Sequence, residues 1–396
     1  MLQVFSNANF PLMGRVKWVF IAFSTLAVVV AVGTILTRGF NYGIDFAGGT
    51  AVRLKFRDRP HVEEMRLALE RSGLGDISIQ NIGQVDDNEV LVRVELSQTG
   101  SAASGSEGGE VSRKVIESLQ SPEWRQAQQA GKIDLNMITE GELKEWLAAH
   151  LPSQAAGASA GDEAAAVAAA VVRYRTEHTG LFKSESEIDS IPGLKPEVTR
   201  LLREQSILGS FTLRSVDFIG PTAGKELLRS TLLAVFGSTL FILAYVWFRF
   251  KKWMWGLTSV IALFHDVVIA AGAVSLTRKE FSVDIVAALL TILGYSINDT
   301  IVVFDRIREN LRLYRDVDFE QLVNASINQT LSRTILTSFT VFIAITALFM
   351  YGGDKLNPMS FCLMVGVVFG TYSSVFVAAA LLVIVYRHLG SKYVKG

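Results

Sequence analysis

The chain has a single cysteine, Cys362, in an apolar run, so no intrachain disulfide is possible and the redox compartment cannot be read from cysteine usage. It reads as a packing residue. Charge of one sign is not in excess: 38 Lys and Arg face 38 Asp and Glu, the net charge is zero, and no basic patch points to nucleic acid. A phosphate loop is missing too. Gly224-Lys225 is followed by Glu226 instead of Ser or Thr, and the spacing from Gly220 is one residue short, which excludes this kind of nucleotide site. No catalytic or metal-ligating constellation stands out, and no enzyme activity, metal or organic cofactor is expected.

What the chain has is hydrophobic length. Its mean hydropathy of +0.34 averages two unlike regions. Six apolar stretches, Trp18–Leu36, Thr231–Phe248, Trp253–Leu276, Ile285–Phe304, Ile335–Tyr351 and Met359–Tyr386, are long enough to cross the roughly 30 Å hydrocarbon layer of a bilayer. The first is too long for the apolar part of a signal peptide and reads as a retained span. Arg15 and Lys17 precede it. Arg249, Lys251 and Lys252 follow the second span, Arg306, Arg308, Arg312 and Arg315 the fourth, and Arg387, Lys392 and Lys395 the sixth. Arg278, Lys279 and Lys355 are the basic residues of the opposite loops. This asymmetry puts both termini in the cytoplasm. The expected domains are 1–37 (cytoplasmic N-terminus and first span), 38–226 outside the cytoplasm, 227–386 (spans two to six) and a cytoplasmic tail, 387–396.

The outer domain carries strand patterns at Ala51–Phe56, Ile77–Ile82, Val90–Leu96 and Ser210–Ile219, with a turn at Asp86–Asn88. A helix at His61–Ser72 stops at Gly73. A second helix, at Val111–Leu119 or Glu197–Glu204, would complete a strand-helix-strand-strand-helix-strand unit of ferredoxin-like type. Gln98–Glu110 and Gln154–Asp162 read as Gly- and Ser-rich linkers, and a long insertion is expected over about 98–206. Ile191-Pro192-Gly193-Leu194 has the outline of a helix-hairpin-helix turn, but outside the cytoplasm it reads as a compact helical turn.

Four stretches carry the candidate chemistry. Asn41–Thr50 follows span one with Gly43, Gly48 and Gly49, which permit unusual backbone conformations, and with Asp45, which suits a turn cap. Val216–Glu226 leads into span two. Leu290–Asn310 contains Asp299, six residues before Asp305 and so about 9 Å from the helix end. An acid at the centre of a bilayer costs about 2.5–3.5 kcal/mol, so a purely decorative role is expensive. Tyr295 and Ser296 lie one turn back, with Asn298 and Thr300 beside it as further polar support. Leu331–Ser338 brings Arg333 into span five as a candidate partner, snorkelling to the interface being its ordinary alternative. His265-Asp266 adds a titratable pair in span three, and Gly366 and Gly370 form a helix-packing motif.

Together these stretches resemble the SecF family, the SecD/SecF branch of the RND transporter superfamily. The match covers 18–56 and about 211–386 and rests on GIDFAGGT at 43–50 and GYSINDTIVVFDRIREN at 294–310. The insertion is much longer than the family usually has. The resemblance implies half of an RND-type bundle in a bacterial inner membrane. It implies protons as the coupling ion, a relay of Asp299 and Arg333, and support from Asp266. The implied partners are a SecD-like six-span subunit, the SecYEG channel, SecA, exported preprotein and membrane lipid. The implied function is protein export driven by the proton motive force. An RND-type exporter of small molecules or ions is the first alternative, although such exporters carry twelve spans in one chain. A structural assembly factor with an inert ion pair is the second.

Overall fold

The computed structural model describes residues 10–82, 87–95, 105–151, 159–250, 253–314 and 316–389. They divide into two units, Met1–Phe46 with Lys225–Gly396, and Ala47–Gly224.

The first unit holds six helices of membrane-spanning length and hydropathy: Val16–Arg38, Pro221–Phe250, Trp253–Leu276, Val283–Leu313, Phe319–Tyr351 and Lys355–His388, here spans one to six. Their ends differ from the apolar runs. Span two starts at Pro221, span four continues to Leu313 and span five starts at Phe319, because polar turns continue each helix beyond its apolar stretch. Spans three, four and six form the middle: 61%, 50% and 61% of their apolar stretches are buried, against 6–11% for the other three. With no hydrophobic drive between helices in lipid, close packing has to come from small residues. Gly272 sits against Ala31 of span one, and Gly366 against Ile292 of span four, where any side chain would collide. Span six is interrupted by a π-helical turn, Ser374–Ala378.

Residues 41–46 belong to this unit, so the outer unit begins at Ala47, later than the expected 38. Strand β1 (Asn41–Tyr42) pairs in parallel with a two-residue strand, Glu280–Phe281, in the loop after span three. The Gly43 N–H donates to the Phe281 carbonyl.

The second unit contains a four-stranded antiparallel sheet of β2 (Gly49–Phe56), β3 (Ile77–Ile82), β4 (Glu89–Val94) and β5 (Phe211–Ile219), in spatial order β3-β4-β2-β5. Helices α1 (Val62–Glu70) and α2 (Gly105–Leu119) complete the ferredoxin-like unit. Val52, Leu54, Leu69, Val90, Val92 and Val115 are fully buried in its core. Of the Asp86–Asn88 turn, Asp86 lies outside the described residues, and Asn88 takes φ +52.

The insertion boundary near 98 is corrected. Helix α2 includes Gly105–Glu110, read from sequence as linker, and Val115 places it in the core of the sheet. Gly108 there is a packing residue: a Cβ would stand 2.6 Å from the Phe218 ring. The insertion proper follows Leu119. After helix Pro122–Gln129, its helices Glu140–His150, Ser159–Glu177, Ser186–Asp189 and Pro196–Gln205 enclose a separate core of Leu135, Leu143, Leu147, Ala168, Phe182 and Leu202. Residues 154–158 of the second expected linker lie outside the described residues, and 159–162 are helical. Ile191–Leu194 is a turn in which Gly193 has φ +85 and Ile191 is buried.

Fully buried Asn136 fixes the insertion to β5. Its amide donates to the Phe182 and Gly209 carbonyls at 3.1 and 2.8 Å, and its backbone carbonyl accepts from Thr212 Oγ1 at 2.6 Å. Asp134 accepts from the Asn136 and Gly209 N–H groups and from Trp124 Nε1. Burial pushes its carboxyl above the ordinary range despite these donors and the nearby Arg175.

A candidate proton-relay site in the membrane unit

Span four places Asp299 on its inner face, 3% exposed. Among the described residues one hydrogen bond reaches it: Ser338 Oγ of span five donates to Oδ2 at 3.2 Å. Thr371 Oγ1 of span six donates to Ser338 Oγ at 2.7 Å, so Asp299-Ser338-Thr371 joins three helices. A buried carboxylate has about four lone-pair sites, and a single long hydrogen bond leaves it poorly compensated when ionised.

Arg333 is not brought to Asp299. It is exposed, and among the described residues no ion pair joins the two. Helical side chains point toward the N-terminus of their helix. That tilt leans Arg333, five residues before Ser338, toward the start of span five. It lines an open groove of about 840 Å³ with Ile301, Asp305, Arg306, Glu309 and Leu336. Asp305 pairs with Arg249 of span two, and Arg306 with Glu309.

Asp266, read from sequence as support, is the more fully bonded acid. It is 0% exposed and accepts from His265 Nδ1 at 2.9 Å, from Ser296 Oγ at 2.6 Å and from Ser373 Oγ at 2.7 Å. Thr300 Oγ1 lies 2.9 Å from Ser374 Oγ at the π-helical turn. Tyr295 is half-buried and Asn298 is exposed. Thr371 and Ser373 escaped the sequence reading. The signal present was a cluster of hydroxyls, Thr371, Ser373 and Ser374, in an otherwise apolar span.

The glycine motif after span one serves span four. Asp45 Oδ2 accepts from the Val283 N–H at 2.9 Å, satisfying a first-turn donor of the helix that carries Asp299. Sequence suggested a cap on the motif's own turn. The capped group belongs to a helix 238 residues on. Gly43 lies against Glu280, with room for no Cβ: one would stand 2.5 Å from Glu280 Oε1. Gly48 and Gly49 have φ of +74 and +135, where other residues are strained.

The arrangement is that of a multi-pass membrane protein with buried titratable groups at helix junctions. Residues 200–388 match the family described as protein export membrane protein SecD/SecF, C-terminal, and 33–58 match the SecD/SecF GG motif. The protein translocase subunit SecF of Koribacter versatilis is 38% identical over 96% of this chain and 93% of its own length. That of Desulfurispirillum indicum is 34% identical over 93% and 90%. The crystal structure of SecDF, a translocon-associated membrane protein from Thermus thermophilus, superposes with a TM-score of 0.65 at 32% identity. That match covers 96% of this chain but 39% of the SecDF chain. The chain belongs to the SecF family of protein translocase subunits.

Proposed function

We propose that this chain uses the proton motive force to drive protein translocation across the bacterial inner membrane, with Asp299 binding and releasing the coupling proton. The observation that carries this reading is Asp299 itself, buried within a span and, among the described residues, held by one hydrogen bond and without an ion-pair partner. Its charged and neutral forms differ greatly in cost at such a place, so protonation selects between two packings of spans four, five and six. Arg333 is the counter-ion of the deprotonated state, reached by a change in the direction of its side chain or of span five. Asp266 supports the bundle between spans three, four and six.

The role is transport and not enzymatic. A SecD-like six-span subunit completes the membrane bundle, in keeping with the 39% of the SecDF chain that this one spans. The SecYEG channel, SecA and the exported preprotein are the further partners, and both termini lie in the cytoplasm. Co-purification in mild detergent tests the assembly: a six-span SecD-like chain is expected, and full activity of a reconstituted monomer would contradict it. Replacing Asp299 tests the coupling.

A further inference from the structure

We propose that His265 and Asp266 form a second proton-binding site, separate from Asp299. The proposal rests on the reading of the membrane unit as proton-coupled.

Asp266 is fully buried, and His265 is its only ion-pair partner among the described residues. A buried carboxylate left unpaired is strongly unfavourable, and the two serine hydroxyls stabilise it without neutralising it. The imidazole is 7% exposed. Nδ1 faces Asp266, while Nε2 is buried without a hydrogen-bond partner among the described residues. The pair therefore has two charge states. Neutral imidazole with its proton on Nδ1, beside ionised Asp266, carries one negative charge and leaves the Nε2 lone pair bare. Uptake of one proton at Nε2 gives imidazolium beside carboxylate and removes the net charge. Release from Nε2 restores the first state, so the proton that enters is the proton that leaves.

The surroundings favour the exchange. The His265 ring lies 6.4 Å, centroid to centroid, from both Phe369 and Tyr372, so an imidazolium meets aromatic groups instead of a competing cation. The titratable groups contributed by the neighbouring helices are few. Toward the middle of the bilayer, span one has none between Lys17 and Arg38, span four brings Tyr295 and Asp299 between Asp284 and Asp305, and span six brings Cys362 and Tyr372 between Lys355 and Tyr386. The two acids share no side-chain hydrogen bond. Ser296 and Asp299 are three residues apart on span four, and Thr371 and Ser373 two apart on span six. Each acid thus ties span four to span six through its own hydroxyls, directly for Asp266 and through Ser338 for Asp299.

The test is nitrogen NMR of the full chain labelled at histidine, in lipid nanodiscs, with the five histidines assigned through His265→Gln. The expected result is proton uptake at His265 Nε2 as the sample is acidified, and loss or weakening of that uptake in Asp266→Asn. A His265 ring that stays neutral on acidification, or proton uptake unchanged in a folded Asp266→Asn protein, overturns the proposal. Asp266→Glu, which keeps the carboxylate, should retain the titration, and its loss there also counts against the site. Proton-driven transport measured separately on Asp299→Asn keeps the two readings apart, since either can fail while the other stands.

Discussion

Ser338 donates to Asp299 across the junction of spans four and five at 3.2 Å, and Arg333, on the same helix as Ser338, does not reach the acid. The pair that sequence spacing suggests is in this structure a carboxyl-hydroxyl contact, with the arginine turned toward the groove beside Asp305 and Arg306. A side chain that points toward its helix N-terminus must reverse to meet a partner deeper in the span.

Arg333→Met should impair transport more than Arg333→Lys, because lysine keeps a charge in water but can lose its proton when desolvated. If Arg333 serves the charged form of Asp299, the double variant with Asp299→Asn should be no worse than Asp299→Asn alone. Transport rates in vesicles that add independently would show the two do not act together.

Asp45→Ala should loosen the start of span four by about 1 kcal/mol, the usual worth of a lost helix cap, and Asp45→Asn should recover most of it. Hydrogen exchange at Val283 and the following amides reads this directly. Unchanged protection in the alanine variant would remove the capping role.

The place of α2 in the sheet's core sets where the insertion can be removed. Joining Leu96 to Ile207 deletes α2 and its buried Val115, so that protein should fail to accumulate. A chain joining Gln120 to Gly209 through a short Gly/Ser turn keeps α2 and should insert and fold, since loop length costs only about 0.6 kcal/mol per doubling. Membrane levels of the two deletions decide the boundary. Equal failure of both would make the insertion part of the sheet's own fold.

Much of this was legible in the sequence, and the misses have physical causes. The six spans, the four strands and the buried acids follow from apolar length, alternation and the cost of charge in hydrocarbon. Gly108 misled because glycine marks both flexible linkers and close approaches, and only the Phe218 ring across the gap distinguishes them. The Asp45 cap joins residues 238 apart in the chain, and the Ser373 hydroxyl meets Asp266 across 107 residues, pairings that no local pattern encodes. Asp299 is buried, as its place in an apolar run suggests, whereas Arg333 is exposed and makes no ion pair with it among the described residues, a difference that residue spacing does not encode.

Asp134 gives the outer unit a pH dependence opposite to that of most carboxylates. Burial raises its folded-state value above the unfolded one, so its proton is held more tightly in the folded state. Its contribution is fully present below the unfolded value and is lost as pH rises through the raised folded value. Amide exchange at Asn136 and Gly209 should therefore quicken as pH climbs through that window, once corrected for intrinsic rates. A slowing would contradict the sign.

The most direct test of proton coupling is export into inverted membrane vesicles carrying Asp299→Asn, with and without an imposed proton gradient. The amide keeps the size of the side chain and can accept from Ser338, but it cannot titrate. The account predicts normal insertion and assembly with loss of the gradient-dependent stimulation. Stimulation equal to that of the unaltered protein would contradict it.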